Sequence, residues 1–169
     1  MTIRSANSQG ARPTERCGQA EILLIEDSAC DAELTMYALE KGGLASTVLW
    51  IDDGSEALDY LFMRNAYAAR HDVLPKFVLL DLWMPRMDGI EVLKRVRADE
   101  RLRNIPITVM TSSPDEIALV KRYGLGVECF VEKPVEFAAL AESARQAGCF
   151  WPAGESPCTP AGTTMPKCR

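Results

Sequence analysis

The chain has 169 residues, of which 47% are hydrophobic and 25% charged, enough for a single domain with a real core and ordinary for a globular protein. Its formal net charge of -5 argues against direct binding of nucleic acid, because gripping a phosphate backbone needs a positive surface. No apolar run approaches the length of a membrane span, and the first twenty residues lack the apolar stretch of a secretory signal, so a cytoplasmic location is expected.

Residues 1–20 are polar, contain Gly, Pro and Ser, show no periodicity, and read as a flexible arm. Ile22–Leu23–Leu24–Ile25 is a short apolar run ending at Glu26–Asp27, the pattern of a buried parallel strand. A helix is predicted from about Ala29 to Lys41, with Ala32, Met36 and Leu39 on one face and Gly42–Gly43 as its stop. Residues 45–51 read as a second strand, and Ser55 to Tyr67 as a second helix with Ala57, Leu58, Leu61 and Phe62 turned inward. Phe77 to Leu80 forms the third strand and runs into Asp81. A loop with Pro85 and Gly89 leads to a helix over about Gly89 to Ala98. Ile107 to Met110 is the fourth strand, and Pro114 opens a helix that ends near Gly124. Val127 to Val131 is the fifth strand, and Val135 to Ala147 the last helix. From about Gly148 the chain is rich in Pro and Gly and cannot hold a long helix, so 148–169 reads as a tail around a domain spanning 21–147.

Five strand–helix units in succession give an α/β fold: a central parallel five-stranded sheet with right-handed crossovers and helices on both faces. Periodicity does not set the strand order. The charge is unevenly spread, with +2 on 1–20, +1 on 148–169 and therefore -8 on 21–147. The six cysteines, Cys17, Cys30, Cys129, Cys149, Cys158 and Cys168, are widely spaced, and with His71 as the one histidine they give no compact zinc pattern. They read as free thiols.

The residues that follow the strands form a coherent set. Glu26–Asp27 follow the first strand, Asp81 the third, Thr111 the fourth, and Lys133–Pro134 the fifth. In a doubly wound sheet all of these meet at the carboxyl edge. Each has an ordinary reading alone: acidic residues and Thr111–Ser112–Ser113 cap helices, and a Lys–Pro pair makes a solvated turn. Together they place three carboxylates and an ammonium at one edge. Carboxylates so placed repel one another unless a cation joins them, and oxygen-only ligands favour a hard divalent ion such as magnesium. A carboxylate can also act as the nucleophile that accepts a phosphoryl group, and Asp81, at the end of the central strand, is the candidate. Lys133 supplies positive charge for phosphoryl oxygens.

At these residues the sequence resembles the receiver domains of two-component response regulators. The resemblance rests on Ile25–Glu26–Asp27, the run from Asp81 through Pro85 to Gly89, Thr111–Ser112–Ser113, and Phe130–Val131–Glu132–Lys133–Pro134. It implies a (βα)5 doubly wound, flavodoxin-like fold and a phosphorylated switch, not an enzyme. Glu26 and Asp27 match the acidic pair that holds magnesium, Asp81 the phosphoacceptor, and Trp83 the position whose backbone carbonyl completes the metal shell. Thr111 matches the switch hydroxyl, Phe130 the aromatic that turns with it, Lys133 the phosphate-pairing lysine and Pro134 the cis-proline beside it. Pro85 and Gly89 are structural.

A narrower resemblance, to small regulators paired with phytochrome-type histidine kinases, rests on Asp31–Ala32–Glu33–Leu34, Leu58–Asp59–Tyr60–Leu61 and the stretch from Asp99 to Ile105. Trp83 departs from it, since asparagine is usual there. The implied partners are a sensor histidine kinase, a second copy of the chain in a homodimer, and a protein target, with no direct nucleic acid and no membrane. Two other readings compete. One is a receiver-like scaffold that works without phosphate, which the complete set Asp27, Asp81, Thr111 and Lys133 argues against. The other is an aspartate-nucleophile phosphatase, which would want a second aspartate where Trp83 stands.

Overall fold

The computed structural model describes residues 4–5, 21–42, 48–70, 74–127 and 129–146. In chain order these form β1 (Arg4–Ser5), β2 (Ile22–Ile25), α1 (Ala29–Lys41), β3 (Val48–Ile51), α2 (Gly54–Phe62), β4 (Phe77–Asp81), α3 (Gly89–Ala98), β5 (Ile107–Thr111), α4 (Pro114–Tyr123), β6 (Cys129–Glu132) and α5 (Phe137–Gln146). Every strand pairing is parallel, and the sheet runs β1-β3-β2-β4-β5-β6. The five expected strands are β2 to β6. The two-residue β1 is added at the edge, where Arg4 pairs with Leu49.

Burial on both faces explains the near-continuous apolar runs. Side chains alternate along each strand, so Leu23, Ile25, Val78 and Leu80 join a core with α2, α3 and Val120 of α4. Ile22, Leu24, Phe77 and Leu79 join a second core with Ala32 and Leu39 of α1 and Leu140 and Ala144 of α5. The strand order reverses between β2 and β4, which opens a crevice at their carboxyl ends.

Several boundaries differ from expectation, and the last helix starts at Phe137, two residues after Val135. The second helix ends at Phe62, and Asn65–Tyr67 is a separate 3-10 turn. Met63 and Asn65 take left-handed backbone, φ 55 and 50, and break the helix without any Gly or Pro to mark the spot. The fifth strand begins at Cys129, because β6 pairs only from Thr108↔Cys129 onward. Cys30 and Cys129 are free thiols, as expected. The other four cysteines, His71 and the tail fall outside the described residues.

Candidate functional site

Four strands deliver polar side chains to one crevice. The apolar run of β2 stops at Glu26, and the turn beyond it is fixed by the Trp50 indole N–H, which donates to the Glu26 carbonyl at 2.7 Å. The Ser28 N–H donates to Glu26 Oε1 at 3.2 Å, and Ser28 caps α1 by accepting from the Asp31 N–H. Buried Asp81 ends β4, with the Trp83 N–H 3.4 Å from its Oδ1. The chain then turns sharply: the Gly89 N–H donates to the Leu82 carbonyl at 2.9 Å, while Asp88 caps α3.

Lys133 emerges from β6 into this crevice, beside a cis Lys133–Pro134 bond. Its Nζ lies 2.6 Å from Glu26 Oε2, 3.1 Å from Asp81 Oδ2 and 3.3 Å from Asp31 Oδ2. Burial opposes the charge on the ammonium, but the hydrogen bond to Glu26 and the charges of Asp81 and Glu26 outweigh it, and the lysine pKa rises. Glu26 is fully buried, and that burial pushes its pKa up to about 7; the Asp81 charge adds to the rise while Lys133 opposes it. Glu26, Asp27 and Asp81 each offer a carboxylate oxygen, all within 4.8 Å of one another. One lysine does not balance this set. The donors are hard carboxylate oxygens drawn together at one point, so the residues fit a divalent cation.

Thr111 ends β5 at the same edge, buried, but its hydroxyl is engaged within the β5–α4 turn. Oγ1 lies 2.6 Å from Glu116 Oε2 and 2.7 Å from the Ser113 carbonyl, and accepts from the Ser113 N–H at 3.2 Å. Phe130 is half-buried against the α2–α3 side core, with Lys121 Nζ 5.8 Å from its ring centroid. The Trp83 side chain is 64% exposed at the mouth of the crevice. Pro85 and Pro134 are exposed turn residues.

Four residues beside the site were given no role from sequence. Asp31, in the first turn of α1, lies within ion-pair distance of Lys133. Glu116 follows Ser113 at the spacing of a capping box, which was the available signal. Trp50 had no signal. Arg86, with left-handed backbone, pairs with Asp53, the cap of α2, at 3.2 Å and ties two loops of the site together.

Residues 22–145 match the response regulator receiver domain. The chain belongs to that family. The bacteriophytochrome response regulator AtBRR, a solved structure, is 47% identical with a TM-score of 0.74, over 79% of this chain and 96% of AtBRR. FilR2 of Methanothrix harundinacea, a probable methanogenesis regulatory protein, is 38% identical over 130 residues, 77% of this chain and 82% of FilR2. Response regulator Rcp1 of Synechocystis sp. is 31% identical over 130 residues, 77% of this chain and 87% of Rcp1; its Mn(2+)-bound structure aligns with a TM-score of 0.61, over 80% of this chain and 96% of that one. This receiver is therefore a phosphoacceptor switch of a two-component phosphorelay, fed by a histidine kinase, and not an enzyme. The scaffold and phosphatase readings give way to that assignment. Among the described residues no helix is long and apolar enough to cross a membrane.

Proposed function

We propose that Asp81 is the phosphoacceptor of this receiver. We further propose that the resident cation is magnesium, held by Glu26, Asp27, Asp81 and the Trp83 backbone carbonyl. The observation that carries this reading is the buried Asp81 carboxylate, 3.1 Å from the Lys133 ammonium and inside a triad of oxygen donors. Phosphoryl transfer calls mainly for positioning and charge neutralisation, which magnesium supplies to the carboxylates and to the phosphoryl oxygens. An Asp81 oxygen attacks the phosphorus of a phosphohistidine, the P–N bond breaks, and the imidazole leaves with that electron pair. Lys133 is placed to pair with an oxygen of the new acyl phosphate. The manganese form of Rcp1 supports a hard divalent ion here.

Phosphorylation adds about two negative charges. Thr111 then turns its hydroxyl to a phosphoryl oxygen, and Phe130 turns inward to fill the space left beneath α4, so a local charge biases a two-state element. The likeness to AtBRR supports a phytochrome-type kinase as the donor.

With acetyl phosphate and magnesium, intact mass should show one added phosphoryl group. None should appear in Asp81→Asn or in excess EDTA. A persisting label in Asp81→Asn would overturn the assignment. We also propose a homodimer through the α4–β6–α5 face or a neighbouring helix, with exposed Tyr123 of α4 at its margin. Light scattering should give twice the monomer mass after phosphorylation, and a monomer at high concentration in both states would refute it.

A further inference from the structure

Resting on the reading of Thr111 as the switch hydroxyl, we infer that Glu116 is a latch that holds the receiver in its resting state. A threonine hydroxyl has one proton to donate. It has two acceptors here, the Ser113 carbonyl at 2.7 Å and the Glu116 carboxylate at 2.6 Å. A carboxylate is a stronger acceptor than a peptide carbonyl. Glu116 is itself buried, 7% exposed, and its Oε2 also accepts from the Ser112 N–H at 2.9 Å.

This departs from what the sequence pattern dictates. Ser113–Pro114–Asp115–Glu116 has the spacing of a capping box, in which the glutamate would reach back to the N–H of the capping residue. Here Ser113 stands at the N-cap position but makes no side-chain cap bond. The glutamate overshoots by one residue to the Ser112 N–H and takes the Thr111 proton as well. The carboxylate therefore fastens the switch residue to the first turn of α4. To donate to a phosphoryl oxygen, Thr111 must withdraw its proton from Glu116, leaving a buried carboxylate with one partner fewer. The same bond thus sets a threshold against switching and makes α4 feel the departure of Thr111.

The test uses beryllofluoride with magnesium as a non-covalent phosphoryl mimic, titrated on the full chain by tryptophan fluorescence, with Trp83 beside the site as reporter. Glu116→Gln keeps the shape and replaces the charged acceptor by a neutral one. It should bind beryllofluoride roughly fivefold more tightly, the factor that corresponds to the difference between a charged and a neutral hydrogen bond. Loss of a nearby negative charge would by itself favour an anion, so the deciding readout is a cycle with Thr111→Val. In that background the Glu116→Gln gain should shrink to what the lost charge alone contributes. Glu116→Asp retains the charge but draws the carboxylate back from Thr111. It should also tighten binding, and it replaces Glu116→Gln if that variant fails to fold. An equal gain in the Thr111→Val background, or unchanged or weaker binding in both Glu116 variants, overturns the latch while leaving Asp81 in place. Absence of magnesium-dependent beryllofluoride binding by the unmodified chain would remove the Asp81 assignment, and the latch with it.

Discussion

Replacing Lys133 with methionine should slow phosphorylation of Asp81 by about two to three orders of magnitude, the usual loss when one preorganised charge aimed at a reacting group is deleted. The Lys133 ammonium meets Glu26 at 2.6 Å and Asp81 at 3.1 Å, and its side chain is only 13% exposed. Methionine keeps much of the length and the apolar stem, so the loss isolates the charge. The same substitution should destabilise the fold in the absence of a divalent ion. Removing one partner from a buried pair strands the other, at a cost of about 3–5 kcal/mol. For a chain of this size that lowers the melting midpoint by roughly 10 °C. Magnesium should restore part of the loss, because it supplies the positive charge the carboxylates have lost. Thermal melts in EDTA and in magnesium, with a labelling time course well below the melt, separate the two effects. Labelling at the unmodified rate would confine Lys133 to a structural role.

The strand ends were the legible part of the site. A buried parallel strand is written as an apolar run, so the polar residue that stops it falls at the sheet edge, as Glu26, Asp81 and Thr111 do. The order of the strands is not legible from periodicity, because β2 to β6 are mostly apolar and none announces its neighbour. The structure supplies that order, and the reversal between β2 and β4 brings Glu26 and Asp81 together.

Contacts made from helices were harder to read. Asp31 reaches Lys133 across 102 positions of sequence, and nothing local to either residue predicts the meeting. The end of α2 leaves no mark in the sequence, because Met63 and Asn65 adopt left-handed backbone with no glycine to signal it. The sequence allows Thr111 to be either a helix cap or a switch. The structure gives the cap position to Ser113 and ties the Thr111 hydroxyl to Glu116.

Replacing Gly89 with alanine should cost about 3 kcal/mol and slow labelling of Asp81 as well, although Gly89 carries no functional group. Its N–H is bonded to the Leu82 carbonyl at 2.9 Å, which presses the first residue of α3 against the end of β4. A Cβ at Gly89 would collide with the Asp81 carbonyl oxygen and stand 2.8 Å from Leu82 Cα. Both obstacles are backbone, so no rotamer change relieves them, and the cost lies at the upper end of the usual range for overpacking. Any relief moves the Asp81 peptide, and with it the carboxylate set against Lys133. Gly124 is the useful contrast. It has a φ of +61 with nothing within 4 Å of an added Cβ, so Gly124→Ala meets only the conformational penalty, about 1 kcal/mol, and lies at the far end of α4. Circular dichroism melts should therefore place Gly89→Ala well below Gly124→Ala, by roughly 4–8 °C, and only Gly89→Ala should show slowed labelling at a temperature where both are folded. Equal melting points, or normal labelling in Gly89→Ala, would mean that the turn yields without moving Asp81, and that glycine at this position serves neither packing nor the site.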